Sequence, residues 1–144
     1  MGFWDSLLGE EKKIEKTTGG KGSMNPFQVA LSFSPLRLSA NRRNSVHLVV
    51  KIKNVSSDTQ LVSVDALLPK DAMLGFDQAC INKATEKRAG ELKGGETMEV
   101  PVELWANNQT KEGNYPIAVT VYSHYIGYDK VLSYIKKSIS LRVV

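Results

Sequence analysis

The sequence contains few of the residues from which metal centres, disulfides and hydrolytic active sites are built. Its 144 residues include one cysteine, Cys80, and two histidines, His47 and His124. A single cysteine cannot form a disulfide within the chain, and these three residues show no zinc-site spacing. Neither histidine lies in a motif that supplies a serine or cysteine nucleophile. We therefore expect no metal, no cofactor and no catalytic residues, and we predict that the protein is not an enzyme.

Long apolar runs and runs of like charge are also missing. No segment approaches the roughly 20 consecutive apolar residues of a membrane-spanning helix, and the N-terminus lacks the basic-then-apolar order of a secretory signal. The net charge of +4 comes from 19 basic and 15 acidic residues that are interspersed. Aromatic residues that could stack on bases are not interleaved with the basic ones. The sequence predicts a cytoplasmic location and does not favour a nucleic-acid partner.

The first 23 residues are predicted to form a unit separate from the rest of the chain. Residues 1–16, MGFWDSLLGEEKKIEK, place apolar side chains at helical spacing and charges on the other faces, which predicts a short amphipathic helix. Residues 17–23, TTGGKGS, contain three glycines and predict a flexible linker. The helix offers four apolar residues for docking on protein or for membrane contact: Phe3, Trp4, Leu7 and Leu8.

This helix needs a surface on which to fold. Full burial of the four side chains contributes less than about 12 kcal/mol, whereas ordering a dozen residues costs about 1–2 kcal/mol each. A partner protein, the rest of the chain or a membrane could supply the surface, and without one the segment is disordered. Residues 1–22 hold four acids and four lysines, a balance that favours protein over anionic lipid.

Residues 24–144 follow a two-residue period, which is typical of strands with one buried face. In SVHLVVKIKN, for example, Val46, Leu48 and Val50 fall on one face and His47 on the other, where we expect an ordinary surface role. Similar alternation occurs in QVALSFS, LVSVDALLP, TMEVPVELW, YPIAVTVYS and YIKKSISLRVV. The pattern predicts a single all-β domain, an antiparallel two-sheet sandwich of about seven strands.

Two stretches of this domain carry more specific expectations. Pro101 cannot donate a ladder hydrogen bond, so its strand is expected at a sheet edge or with a bulge. Residues 70–95 show no clear period and leave two alternatives open, a strand around Cys80 and Ile81 or a short helix. We expect mostly irregular structure that ends in a turn at Lys93, Gly94 and Gly95.

Several motifs resemble a known class of domain. Gly113, Asn114 and Tyr115 precede an alternating strand, as in a tyrosine corner, where the phenol bonds back to nearby backbone. The order of IKNVSSDT, LLP, LKGGETMEVPVEL, EGNYPIAVTVY and ISLRVV resembles the immunoglobulin-like adhesion modules of archaea and bacteria, of the CARDB and NEW3 type. The resemblance covers residues 27–144 and implies an immunoglobulin-like sandwich without catalytic residues.

The chain departs from that class in two respects. It lacks the disulfide and the partner tryptophan of antibody domains, and it carries the amphipathic N-terminal segment. An arrestin-like sandwich, built from similar strands, remains the alternative topology.

The stretch YSHYIGYDKVLSY, residues 122–134, is rich in tyrosine. If Val121 faces inward, Tyr122 faces outward, and the chain turns near residues 126–129. Tyr122 and Tyr134 then lie opposite each other and stabilise the hairpin. The tip residues can instead contact a partner, because tyrosine covers much area with little conformational freedom to lose. The candidate partner-binding residues are Tyr122, His124, Tyr125, Tyr128 and Lys130.

These features favour a non-catalytic protein-interaction or adaptor module that binds another protein or a second copy of itself. The alternative is a peripheral membrane protein anchored by the N-terminal helix.

Overall fold

The computed structural model of the protein describes residues 25–144, and all regular secondary structure in this range is β. The predicted N-terminal helix, with Phe3, Trp4, Leu7 and Leu8, and the linker lie outside the described residues. Residues 25–144 contain no helix long and apolar enough to cross a membrane. The strands are β1 Phe27–Ser34, β2 Arg37–Leu38, β3 Asn44–Asn54, β4 Gln60–Leu67, β5 Leu74–Gly75, β6 Ala84–Leu92, β7 Thr97–Ala106, β8 Gly113–His124 and β9 Val131–Val143.

The strands form two sheets. One sheet has four strands in the order β1–β3–β7–β5, and the other has five in the order β2–β9–β8–β4–β6. All pairs are antiparallel except β2 and β9, which pair in parallel through Arg37 opposite Arg142 and Leu38 opposite Val143. The consecutive strands β1 and β2 therefore belong to different sheets. The predicted all-β, two-sheet architecture is confirmed.

The predicted alternation places the core between the sheets. In β3, Val46, Leu48, Val50 and Ile52 are all at most 1% exposed, whereas His47 lies at the surface as expected. Strands β4, β7, β8 and β9 also direct alternate side chains into this core. Their buried apolar residues include Val62, Val64, Ala66, Val100, Val102, Leu104, Ile117, Val119, Val121, Leu141 and Val143.

The prediction of mostly irregular structure for residues 70–95 is wrong for Ala84–Leu92, which form the nine-residue strand β6. Within residues 25–144 this strand pairs with β4 alone, and most of its side chains are exposed or half-buried. An edge strand with so little burial needs no apolar alternation, so its sequence, ATEKRAGEL, carries no two-residue period. Together with the two-residue β5, it brings the described strands to nine instead of about seven.

Two local predictions are confirmed by hydrogen bonds. The expected turn after β6 exists, because the Glu96 N–H donates to the Lys93 carbonyl at 3.0 Å. At the start of β8, the Tyr115 Oη donates to the Lys111 carbonyl at 2.7 Å, which is the phenol-to-backbone bond of a tyrosine corner.

Pro101 lies in β7, which has β3 on one side along its whole length. On the other side, β5 pairs with Trp105 and Ala106, and no strand of residues 25–144 pairs beside Pro101. The expected edge position is therefore confirmed for this part of β7. The pairing with β3 shows no register shift, so the alternative, a bulge, does not occur there.

Candidate contact surface at the β8–β9 hairpin

The tyrosine-rich stretch forms the end of the β8–β9 hairpin. Strand β8 ends at His124 and β9 begins at Val131, so the predicted turn lies within residues 125–130. Tyr122 pairs with Tyr134 in the ladder, and their ring centroids are 6.1 Å apart. The predicted opposition of the two tyrosines is confirmed, and such a cross-strand pair contributes about 0.2–1 kcal/mol to the sheet.

Tyr122 lies in a row of paired residues that crosses four strands on the outer face of the five-stranded sheet. The row runs from Arg88 of β6 through Ser63 of β4 and Tyr122 of β8 to Tyr134 of β9. The Tyr122 phenol also hydrogen-bonds the Asp65 carboxylate. Burial raises the pKa of Asp65, and the nearby Glu86 raises it further. Burial raises the pKa of Tyr122 as well, with Asp65 as the next cause.

His124 is fixed by two hydrogen bonds and is only 6% exposed. Its Nδ1 lies 3.2 Å from the Lys130 carbonyl, and its Nε2 lies 2.7 Å from the Ser63 Oγ. A carbonyl can only accept, so Nδ1 carries the proton; in the neutral ring, Nε2 then accepts from the Ser63 hydroxyl. The histidine thereby fastens the end of β8 both to β4 and to the end of the turn.

The Ser63–His124 pair has the spacing of a nucleophile and its base, but its surroundings differ from those of a catalytic pair. Ser63 is 1% exposed, so its Oγ has no open approach for a substrate. The Nδ1 partner is a backbone carbonyl, whereas a catalytic histidine of this type is commonly oriented by a carboxylate. The geometry suits a structural fastening.

Tyr128 anchors the turn to the far edge of the sheet. Its Oη accepts a hydrogen bond from the Gly90 N–H at 3.0 Å, and its ring and the His124 ring are T-shaped, with centroids 5.1 Å apart. The Arg88 guanidinium lies over the ring, 4.9 Å from its centroid. A cation over an aromatic face contributes about 0.5–1 kcal/mol at an exposed site. The turn is therefore fastened at Tyr128 as well as at His124.

The anchored turn and the start of β9 carry four exposed apolar side chains. We define the tip patch as Tyr125, Ile126, Val131 and Leu132, which are between 52% and 84% exposed. Ile126, the most exposed of them, has a φ of 65°, in the left-handed region. Such a conformation is unusual for a β-branched residue. The Tyr125 N–H donates to the Lys130 carbonyl at 3.0 Å, which closes the turn beneath the patch.

The predicted contact residues thus occupy different environments. Tyr125 and Lys130 are exposed, Tyr122 and Tyr128 are half-buried, and His124 is buried. Sequence reasoning missed Ser63 and Arg88, which hold the hairpin, and Ile126, the most exposed residue of the tip patch. Arg88 could not be placed, because β6 itself was not predicted. Ile126 lay inside the predicted turn. The signal that could have identified it was a large β-branched side chain within that turn.

Comparison with known proteins shows similarity at the level of fold. No protein-family model matches the sequence, and no curated protein matches it. The C-terminal domain of wzt is similar with a TM-score of 0.55 and 12% identity, over 90% of this chain and 80% of that one. Escherichia coli alpha-2-macroglobulin in its native conformation gives a TM-score of 0.55 and 14% identity, over 84% of this chain.

A third similar structure is the Pseudomonas fluorescens alkylpurine DNA glycosylase AlkC bound to DNA containing an abasic site analog. It gives a TM-score of 0.51 and 15% identity, over 85% of this chain. This chain spans only 32% of the glycosylase and 7% of the macroglobulin. At such identities the similarity concerns the fold alone. The chain therefore has a β-rich fold that also occurs within bacterial proteins of very different size.

Proposed function

We propose that the protein is a non-catalytic interaction module that binds a partner protein through the tip patch. The observation that carries this proposal is the set of four exposed apolar side chains on the turn and the first two residues of β9, beside the fastenings at His124 and Tyr128. Exposed apolar side chains concentrated at one end of a folded domain commonly mark a protein interface. The buried environment of Ser63 supports the non-catalytic part of the proposal.

The energetics of the tip patch suit protein binding. Burying one large apolar side chain contributes about 1.5–3 kcal/mol, so a few of them can supply the centre of an interface. A turn that is already held by hydrogen bonds loses little conformational freedom when it binds. Tyr125 adds a hydroxyl that can bond a partner at the rim of the contact.

The conformation of Ile126 supports the same site. A left-handed backbone costs a non-glycine residue roughly 1–2 kcal/mol, and an isoleucine that is 84% exposed returns little burial within its own chain. Strained residues are typical of binding sites, where the strained geometry serves the contact. A side chain that does not stabilise its own fold is a reasonable contributor to a partner's interface.

We further propose that the sandwich is immunoglobulin-like. Two observations support this topology over the arrestin-like alternative: consecutive strands β1 and β2 switch sheets so that β2 runs parallel to β9, and Tyr115 forms a tyrosine corner. The narrower resemblance to the CARDB and NEW3 type modules rests on the sequence motifs quoted above, to which the observed Tyr115 bond lends support. Modules of that class act by binding, in agreement with the proposed role.

The proposal is tested by affinity capture from a lysate of the source organism with quantitative mass spectrometry. Wild type is compared with Tyr125→Ala and Ile126→Ser, and the matched control is Ile81→Ser. Ile81 is 71% exposed on a different loop, so its substitution removes a similar apolar side chain without touching the tip patch. We expect the same proteins to be lost with both tip variants and kept with the control. Equal capture by all four proteins would contradict the tip-patch proposal.

The membrane-associated alternative rests on the amphipathic pattern of residues 1–16 and is separated by vesicle flotation. Full-length wild type, Trp4→Ser and Ile126→Ser are mixed with vesicles of neutral and of anionic lipid. Flotation that is lost with Trp4→Ser and kept with Ile126→Ser would favour anchoring by the N-terminal segment. If the wild type stays unbound with both lipids, the alternative is excluded under these conditions and the protein-binding proposal remains.

A further inference from the structure

Sheet edges in residues 25–144 differ in how well they are protected against pairing with another strand. An open edge presents unpaired N–H and C=O groups, and natural proteins block such edges with short strands, charges, prolines or bulges. Strand β5 is only two residues long. Strand β6 carries Glu86, Lys87 and Arg88 and has a register shift opposite Val62 and Ser63.

The open parts of β7 and β9 are protected in similar ways. Beside its open stretch β7 carries Pro101, with Glu99 and Glu103 two residues away on either side. Strand β9 carries Lys136 and Lys137, and its pairing with β8 shifts near Val131. Each of these edges therefore carries at least one feature that opposes a further strand.

Strand β1 carries none of these features along its length. It is an eight-residue edge strand, FQVALSFS, that pairs with β3 in continuous register from Phe27 to Ser34. No residue from 25 to 36 is charged, and the nearest prolines, Pro26 and Pro35, lie just outside the strand. The outward side chains are small or neutral: Gln28, Ala30, Ser32 and Ser34, all exposed.

The hydrogen-bonding groups on the free side of β1 can be assigned from its ladder. The Val55 N–H donates to the Pro26 carbonyl at 2.8 Å, so Pro26 directs its backbone towards β3. Because the direction alternates along an antiparallel strand, Gln28, Ala30 and Ser32 also bond towards β3. Val29, Leu31 and Phe33 then present their N–H and C=O groups to the side on which no strand of residues 25–144 pairs. The Phe27 N–H, on the same side, donates instead to the Asn25 Oδ1 at 2.9 Å.

We propose that the open edge of β1 pairs with β1 of a second copy of this chain, in antiparallel orientation, about a two-fold axis through Ala30. This register places Val29 opposite Leu31 of the other copy, and both residues have their backbone groups directed to the seam. The two four-stranded sheets then join into one continuous sheet. The inference is independent of the tip patch, which lies on the other sheet.

The strand itself argues for a second copy as the occupant. About the two-fold axis, Phe27 and Phe33 oppose each other on the inner side and Gln28 and Ser32 on the outer side, so no charge meets a like charge. A two-fold contact requires a surface that is complementary to itself, because the same residues form both halves. The same two-fold arrangement centred on Lys87 of β6 would oppose two lysines at its axis. Of these two edge strands, β1 is uncharged and can pair with itself without opposing like charges, whereas β6 cannot.

Self-association is tested on the full-length chain by sedimentation equilibrium from about 10 μM to about 1 mM, because a seam of one strand per copy is narrow and belongs to the weak class of interfaces. We expect a reversible monomer–dimer equilibrium. Ala30→Lys places two lysines together at the axis and should weaken association about fivefold or more. Ala84→Lys, the same change at an exposed position of β6, is the matched control and should leave association unchanged.

Amide hydrogen exchange by NMR provides a readout that identifies the seam. The Val29 and Leu31 amides should become more protected as concentration rises, whereas the Ser138 amide of β9 should not change. The proposal is overturned if the chain stays monomeric throughout the range, or if Ala30→Lys and Ala84→Lys associate as the wild type does. Protection of Val29 and Leu31 in a monomer, independent of concentration, would place another part of the same chain on this edge and would also overturn it.

Discussion

Asp65 is a partly buried carboxyl on the outer face of the five-stranded sheet, directly across the ladder from Glu86. Burial and the charge of Glu86 raise its pKa above the ordinary value of 3.8, and the hydrogen bond from Tyr122 lowers it only in part. A carboxyl whose pKa is higher in the folded state binds its proton more readily there than in the unfolded chain. Its contribution to stability is therefore complete below pH 3.8 and is lost as pH rises through the folded-state pKa.

We expect Asp65→Asn to remove this pH dependence. The amide keeps an acceptor for Tyr122 but cannot ionise beside Glu86. The free energy of unfolding, measured by urea denaturation, should differ little between wild type and variant below pH 3.8. As pH rises towards 7, the variant should become increasingly stable relative to wild type. Glu86→Gln should produce a smaller change of the same sign, and a gap that narrows with rising pH would contradict this assignment.

Ile126 offers a test of strain at a single residue. Glycine adopts the left-handed region without a Cβ clash, so Ile126→Gly should relieve roughly 1–2 kcal/mol of strain. The greater freedom of glycine in the unfolded chain offsets about 0.5–1 kcal/mol of that gain. The net expectation is an increase of up to about 1.5 kcal/mol in the free energy of unfolding, measured by urea denaturation.

The control for Ile126 is Asn41→Gly. Asn41 has a φ of 59°, but asparagine adopts this conformation readily, so the substitution relieves little strain and should lower the free energy of unfolding by about 0.5–1 kcal/mol through the freedom of glycine in the unfolded chain. In the capture experiment, Ile126→Gly should lose partners although the fold is more stable. A variant that is both less stable and still able to bind would argue against the functional interpretation of the strain.

Contacts between single side chains on strands far apart in the sequence could not be predicted from the sequence. The periodicity of β8 correctly placed Tyr122 outward and opposite Tyr134, because both facts follow from alternation and one turn. The bond between Ser63 and His124 joins residues 61 positions apart and depends on β4 lying next to β8. That adjacency is a property of sheet order, which the alternation of a strand does not specify.

Among the elements, the segment between β4 and β6 is organised by Lys83. Its ammonium Nζ donates to three backbone carbonyls, those of Ala72, Leu74 and Cys80. These three residues are buried, so their carbonyls have little access to water without the lysine. A charged donor among several carbonyls satisfies all of them at once, which allows a segment with only the two-residue β5 to pack against the core.

We expect Lys83→Met to destabilise the protein by about 2–3 kcal/mol, because the methionine keeps the apolar stem but leaves buried carbonyls without a donor. Urea denaturation at pH 7 measures the change. Lys87→Met, at an exposed position of the adjacent strand β6, is the matched control and should shift stability by less than about 0.5 kcal/mol. Equal effects of the two substitutions would show that the three hydrogen bonds contribute little.

Strands with one buried face were predictable, and the others were not. β3, β7, β8 and β9 alternate because one side of each faces the core, and their predicted positions agree with the structure. β6 lies at a sheet edge with little buried area, so composition marks it as polar and hides its pairing with β4. The role of Lys83 could not be predicted either, because no sequence pattern distinguishes a lysine that donates to buried carbonyls from a solvated one.

At the scale of the whole molecule, the two sheets are tied together where β1 continues into β2. β1 belongs to the four-stranded sheet, whereas β2 pairs with the last residues of β9 in the five-stranded sheet. The Val144 N–H donates to the Leu38 carbonyl at 2.9 Å, and the Ala40 N–H donates to the Val144 carbonyl at 2.7 Å. These bonds hold β2 in the five-stranded sheet, so the chain connection from β1 to β2 joins the two sheets in addition to the shared core.

We therefore expect the two sheets to unfold as one cooperative unit, and Val143→Ala tests this. Val143 is 2% exposed at the junction, and removing two methyl groups there should cost about 2 kcal/mol.

Trp105 lies in β7 of the opposite sheet, and in a Trp4→Phe background it is the sole tryptophan. If the sheets are coupled, Val143→Ala shifts the urea midpoint seen by Trp105 fluorescence as far as that seen by circular dichroism. Val144→Ala, at a 46% exposed neighbour, should shift neither. A fluorescence midpoint that stays in place while the circular dichroism midpoint falls would show that the four-stranded sheet holds together without the other.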